Sequence, residues 1–137
     1  MENRTHPYER IADELDGTAF SSITYVAETG STNAEAVQRL GSEAHLGRSI
    51  VAEHQSRGKG RRGRTWISPP GTSLLVTTIL PRAVDAPALW AVPFWAALAV
   101  RAALLKHGVA TVLHWPNDLL LDTGGKVAGI LCESRIT

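Results

Sequence analysis

The sequence predicts an α+β fold: a mixed, largely antiparallel β-sheet flanked by helices, in a single domain spanning 1–137. Two observations carry that prediction. Short β-branched and apolar runs recur along the chain between turn signals, and a few stretches of helical spacing interrupt them. At 137 residues, 44% hydrophobic and 20% charged, the chain can bury a core and has the composition of an ordinary globular domain.

Taken in order, Tyr8 to Asp16 reads as a short helix ending at Gly17, and Ile23 to Glu28 as a strand. Thr32 followed by Glu35 has the spacing of a capping box, so a helix is expected to start there and run through Ala36, Val37 and Leu40. Arg48 to Gln55 reads as a second strand that leads into a basic, glycine-rich loop. Extended structure restarts at Trp66. Thr72 to Leu80 is the clearest strand, apolar enough from Leu74 onward to be central in a sheet. Ala88 to His107 reads as a buried helix closed by Gly108. Strands at Val112–Trp115 and Leu119–Asp122 follow, then a turn over Asp122–Gly125. A last strand covers Lys126 to Glu133.

Composition excludes several classes. The formal net charge is +1, far below that of most nucleic-acid binders. The one cysteine, Cys132, leaves no internal disulfide and no cysteine-based zinc site. Met1 to Leu15 has no apolar signal core. The apolar run from Ala86 to Leu105 is interrupted by Pro87, Pro93 and Arg101, which argues against a membrane span. The expectation is a cytoplasmic protein with neither membrane nor nucleic acid as partner.

The charge distribution says more than the total. Arg57, Lys59, Arg61, Arg62 and Arg64 crowd into Gln55-Ser56-Arg57-Gly58-Lys59-Gly60-Arg61-Arg62-Gly63-Arg64-Thr65-Trp66. Gly58, Gly60 and Gly63 match a dinucleotide fingerprint literally, but the third glycine of that fingerprint must open a helix. Here Pro69-Pro70 follows too soon. Gly125-Lys126-Val127 likewise fails as a phosphate loop, for want of a hydroxyl after the lysine. Glycines allow close backbone approach and arginines grip carboxylates and phosphates, so the loop reads as a mobile lid over an anion. A nucleic-acid patch is the competing reading.

Three further motifs stand out. Ser31-Thr32-Asn33 is a helix cap or a polar binding edge. Trp115-Pro116-Asn117-Asp118 is a plain turn or a site. Lys126 heads the apolar run Val127-Ala128-Gly129-Ile130-Leu131, either reaching out to solvent or held beside an anion. Gly129 within a strand suggests close approach by a ligand or another backbone.

Together, in this order and spacing, these motifs resemble those of biotin protein ligases, from about Thr24 to the C-terminus. The resemblance implies a catalytic domain of the class II aminoacyl-tRNA synthetase and biotin synthetase type, incomplete at its C-terminus. It also implies an enzyme that activates biotin with ATP and Mg2+ to biotinyl-5'-AMP. The biotinyl group then passes to a lysine of a biotin carboxyl carrier protein. The resemblance assigns biotin to Ser31, Thr32, Asn33, Gln55, Gly58, Lys59, Gly60, Arg61, Lys126 and Gly129. ATP falls to Arg61, Arg62, Arg64, Trp66, Asn117 and Lys126, with Arg61 and Lys126 acting in catalysis and Asp118 toward magnesium. Lys59 stands where the family usually has arginine, and His114 where it commonly has lysine. Alternatives are a lipoate or octanoate ligase of the same superfamily, and a non-catalytic biotin-binding fragment.

Overall fold

A computed structural model of the chain describes residues 8, 11–20 and 22–135. The chain divides into two compact units, residues 1–83 with 135–137, and residues 84–134. Each is described by itself.

The first unit is a three-stranded sheet with one α-helix. A 3-10 turn at Ile11–Leu15 occupies part of the first expected helix, whose residues 9 and 10 lie outside the described set. Strand β1 (Ser22–Thr29), helix α1 (Thr32–Arg39) and strand β2 (Arg48–Gln55) form a strand–helix–strand unit. β1 and β2 are therefore parallel, with Val26 opposite Ala52 and Thr29 opposite Gln55. Between β2 and the next sheet strand come two short strands, β3 (Gly58–Lys59) and β4 (Thr65–Trp66). Strand β5 (Leu75–Thr78) then returns antiparallel to β2, with Ile50 opposite Thr77.

The order β1-β2-β5 puts β2 in the middle, so β5 is an edge of this sheet among the described residues and not its centre. The reason lies in strand periodicity. Leu75 and Ile79 point to one face and are buried, whereas Leu74, Val76 and Leu80 on the other face are exposed. The apolar run thus fills one layer only. That layer is built by Ile50, Ile79 and Ala36, with Val26 and Leu40 packed against them.

The second unit begins with a 3-10 turn at Ala86–Ala91 that continues into helix α2 (Val92–Lys106). Gly108, at φ +77°, ends it in a conformation that L-residues avoid. Strands β6 (Thr111–His114), β7 (Asp118–Leu121) and β8 (Lys126–Gly129) follow as an antiparallel meander. Helix α2 lies against β6 and β7; Arg101 Nε donates to the Thr111 carbonyl at 3.0 Å, and Leu119 is wholly buried.

The expected burial of this helix is not met. Ala97 is enclosed, yet Trp90 is 71% and Trp95 55% exposed, because a helix apolar on every side turns only part of its surface to the three-stranded sheet of its own unit. By length and composition Ala86–Lys106 is also sufficient to cross a bilayer. The last strand is shorter than expected and stops at Gly129.

Candidate functional site: a neutral cluster beside a cationic hairpin

In the first unit the N-terminus of α1 is held by a residue from another element. Thr32 N–H, one of the donors a first helical turn leaves unpaired, donates to Gln55 Oε1 at 2.7 Å, and the Thr32 hydroxyl reaches the same oxygen at 2.9 Å. Gln55 is the last residue of β2 and lies opposite Thr29. The parallel pairing therefore delivers its carboxamide to the helix start. Thr77 Oγ1, from β5, donates to Thr32 Oγ1 at 2.8 Å and also touches Asn33 Oδ1. Ser31 and Thr32 are buried and Gln55, Asn33 and Thr77 half-buried.

The structure thus brings Thr32, Asn33 and Gln55 into one interlocked cluster, with Ser31 next to it in the chain. It adds Thr77, which sequence reasoning missed. A signal was present. Thr77 occupies the inward row Leu75–Thr77–Ile79, and a hydroxyl among core positions requires a partner.

The expected capping box does not form. Ser31 is the N-cap and makes no side-chain cap bond. Thr32 turns to Gln55, while Glu35 accepts from Thr29 Oγ1 at 3.0 Å and pairs with Arg39 at 2.9 Å. Those hydrogen bonds, from Arg39 first and then Thr29, hold the Glu35 carboxyl below the usual carboxylate range.

Gln55 leads directly into the glycine loop, which is a hairpin. Gly58 pairs with Trp66 and Lys59 with Thr65, and a tight turn over Arg61–Gly63 forms the tip. Gly60 N–H donates to the Arg64 carbonyl at 2.7 Å. The loop's own backbone bonds therefore give it a defined shape, and no helix opens at Gly63, in keeping with rejection of the dinucleotide fingerprint.

Gly58 is needed for backbone approach: a Cβ there would stand 2.4 Å from the Trp66 carbonyl oxygen and 3.1 Å from Gln55 Nε2. Arg62 adopts a left-handed φ of 56°, unusual for a residue with a side chain. Lys59, Arg61, Arg62 and Arg64 are all exposed. Arg57 is exposed as well, but lays its guanidinium over Gly30, with Nη2 3.0 Å from where a Gly30 Cβ would be.

In the second unit, Trp115-Pro116-Asn117 joins β6 to β7 with a cis bond before Pro116. Asn117 Nδ2 donates to the Ile130 carbonyl at 3.0 Å, and Ile130 N–H to the Asn117 carbonyl at 2.8 Å. The asparagine thereby ties the turn to the end of β8. Lys126 Nζ lies 2.9 Å from Asp118 Oδ1, as diagonal neighbours on adjacent strands can. It is an ion contact without good hydrogen-bond alignment, since that oxygen makes no geometrically acceptable hydrogen bond. Gly129 lies opposite Asp118.

Among the described residues no cluster of three or more His, Cys, Asp or Glu is placed to hold a metal ion. Desolvation by its neighbours raises the Cys132 thiol above its usual range, which disfavours the reactive thiolate.

A parallel strand–helix–strand opening, an antiparallel return strand and a separate three-stranded meander give the chain an α+β architecture. The profile of the biotin/lipoate A/B protein ligase family matches residues 25–137, and the chain belongs to that family. It is 38% identical over 127 residues to the biotin–(acetyl-CoA-carboxylase) ligase of Mycobacterium tuberculosis, covering 85% of this chain and 46% of that protein. It is 44% identical over 112 residues to the corresponding ligase of Paracoccus denitrificans, covering 80% and 45%.

Among solved structures, the biotin protein ligase from Aquifex aeolicus in complex with biotin and ATP superposes with a TM-score of 0.70 at 31% identity. That match covers 84% of this chain and 47% of the other. The chain thus spans less than half the length of these relatives.

Proposed function

We propose that this chain carries the biotin-recognising part of a cytoplasmic ligase. That enzyme activates biotin with MgATP and transfers it to a lysine of a biotin carboxyl carrier protein. The observation that carries the reading is the junction at Gln55: a neutral, hydrogen-bonded cluster on one side, and a cationic hairpin on the other. A ligand with a polar but uncharged head and an anionic tail suits that junction, and biotin has both. The Aquifex relative, which binds biotin and ATP, supports it.

In this reading the cluster of Ser31, Thr32, Asn33 and Gln55 holds the ureido ring, whose polar edge must be paired once it leaves water. The carboxylate of biotin attacks the α-phosphate of ATP, the bond to the bridging oxygen breaks, and pyrophosphate leaves. Two anions must meet in that step. Lys59 and Arg61 offset the repulsion and stabilise the charge that builds on phosphorus, while Arg62, Arg64 and Trp66 serve the nucleotide. Magnesium would arrive on the triphosphate and screen its charge. Lys126, Asn117 and Asp118 are assigned to the phosphates and metal on the family resemblance.

The carrier lysine, as a free amine, then attacks the acyl carbon of the mixed anhydride. An amide forms and AMP departs. No protein nucleophile is needed.

The family also includes lipoate ligases, but a dithiolane ring offers nothing to a cluster of carboxamides and hydroxyls. The test is to incubate the chain with MgATP and either biotin or lipoate, and to look for the acyl adenylate by mass spectrometry. Adenylate from biotin supports the reading. Adenylate from lipoate in preference, or binding of neither acid, overturns it.

A further inference from the structure

Plain alternation along a strand would put Lys126, Ala128 and Ile130 on one face of the second unit's meander. The pairing of β7 with β8 is different. Ala128 lies opposite Leu119 and Lys126 opposite Leu120, with a register shift between Leu119 and Leu120. One step along β7 is thus matched by two along β8, and Val127 is the extra residue of a bulge. Leu119 and Leu120 are neighbours in a strand and point to opposite faces, so their partners do too. Ala128 shares the face of Leu119, which is wholly buried. Lys126 is turned onto the other face, where Asp118 stands two residues before Leu120.

Across the strands Asp118 is opposite His114 on β6 and Gly129 on β8. Gly129 brings no side chain, which leaves the β8 side of Asp118 to Lys126. Its Nζ lies 2.9 Å from Asp118 Oδ1. That oxygen is shut off from water, and the ammonium balances its charge. These surroundings do not suit a magnesium ion, which takes a near-octahedral set of oxygens. The neighbours are an imidazole, a glycine and an ammonium, and the ammonium already stands at the inner oxygen.

We propose that Asp118 is a positioning residue. It holds Lys126, which the bulge at Val127 has turned toward it, and acts on the nucleotide through that lysine and not through a metal. Lysine is a point charge on a flexible four-carbon stem. Aimed by a bulged strand and steadied by a carboxylate, it meets a phosphate with less freedom left to lose. This rests on the reading of Lys126 as a phosphate-binding residue, and it takes Asp118 away from magnesium.

The test is calorimetry of ATP binding to the whole chain, with magnesium and with a chelator. The variants are Asp118→Asn, Lys126→Ala, the two combined, and a swap that joins Lys126→Val to Val127→Lys. Lys126→Ala is expected to weaken binding about tenfold, the value of one charge-assisted hydrogen bond, and the swap by as much, because its lysine sits in the bulge. Asp118→Asn removes a negative charge, which by itself would favour an anion. A loss of about threefold in that variant therefore reports the lysine set loose. In the Lys126→Ala background the same change should strengthen binding, since only repulsion is left to remove. A loss in both backgrounds that appears only with magnesium makes Asp118 a metal ligand and overturns the proposal. Wild-type affinity in the swap overturns the part given to the bulge.

A readout independent of ligand is the side-chain ammonium of Lys126, seen by nuclear magnetic resonance. Its protons should exchange more slowly in wild type than in Asp118→Asn. Equal exchange in the two overturns the proposal whatever ATP does. Slow exchange that depends on Asp118, in a wild-type chain that binds no ATP, overturns the nucleotide reading of Lys126 and leaves the pair standing.

Discussion

The neutral cluster and the cationic hairpin lie side by side in sequence, joined at Gln55, but they are built on opposite principles. In the cluster Thr32, Asn33, Gln55 and Thr77 are joined by side-chain hydrogen bonds, and Thr32 is 3% exposed. Its geometry is set before any ligand arrives, and its bonds come from three different elements, α1, β2 and β5. The hairpin's backbone is held through Gly58–Trp66, Lys59–Thr65 and Gly60–Arg64, while its cationic side chains are exposed. In the proposed function the first region would supply selectivity by directional hydrogen bonds. The other would supply charge, which is strong but tells one anion from another poorly.

The sharpest way to break that contrast is at the hairpin residue that abuts Gln55. Gly58→Val would push a side chain into the Trp66 carbonyl and against Gln55 Nε2. The backbone oxygen cannot swing aside as a side chain could, so the hairpin must open. The expected cost is about 1–3 kcal/mol, as for overpacking elsewhere, with complete loss of adenylate formation. Thermal unfolding and the adenylate assay check it together. A Gly58→Val protein that keeps wild-type activity would show that the hairpin and the cluster do not depend on each other's geometry.

A smaller effect separates the two regions. Arg64→Ala removes one exposed cation and no packing, so stability should move by less than about 0.5 kcal/mol. ATP binding should weaken about tenfold, the value of one charge-assisted hydrogen bond. Biotin binding should change little. Raising the salt concentration should mimic the substitution, since exposed charges are screened. Equal losses for biotin and ATP would mean that the hairpin is not specialised for the nucleotide.

How much of this was legible in the sequence follows the same division. Local signals read well. The boundaries of β2, the turn at Asn117, the end of α2 at Gly108 and the failure of the dinucleotide fingerprint all come from residues within a few positions of each other. What depends on partners distant in sequence did not. Thr32 and Glu35 have the spacing of a capping box, but Gln55, more than twenty residues on, competes for Thr32 and wins, and Thr29 and Arg39 take Glu35. Leu74 to Leu80 has the apolarity of a central strand, yet only tertiary packing decides that one of its faces is left uncovered. Thr77 was passed over because a threonine in a strand is unremarkable until its row is known to face α1. The cations were visible as a group, whereas the separation of Arg57, which packs on Gly30, from the four on the hairpin was not.

The smallest expected effect lies one turn beyond the cluster, on α1. Glu35 joins Thr29 to Arg39, with both charged side chains about one-third exposed, so water screens the pair and its worth is that of an ordinary i,i+4 ion pair, about 0.3–0.5 kcal/mol. Because the folded-state carboxyl titrates below its ordinary value, the stabilisation is fully present above the ordinary carboxylate range. It disappears as pH falls through the folded-state value. Glu35→Gln should therefore be slightly less stable than wild type at neutral pH, and the gap should close under acid conditions. A series of denaturant midpoints from pH 7 down to pH 3 measures it. A gap that persists in acid would mean that Glu35 supports α1 through its hydrogen bond from Thr29, which a glutamine can still accept only in part, and not through its charge. In that case the neutral principle of the cluster extends one turn further along the helix than the ion pair suggests.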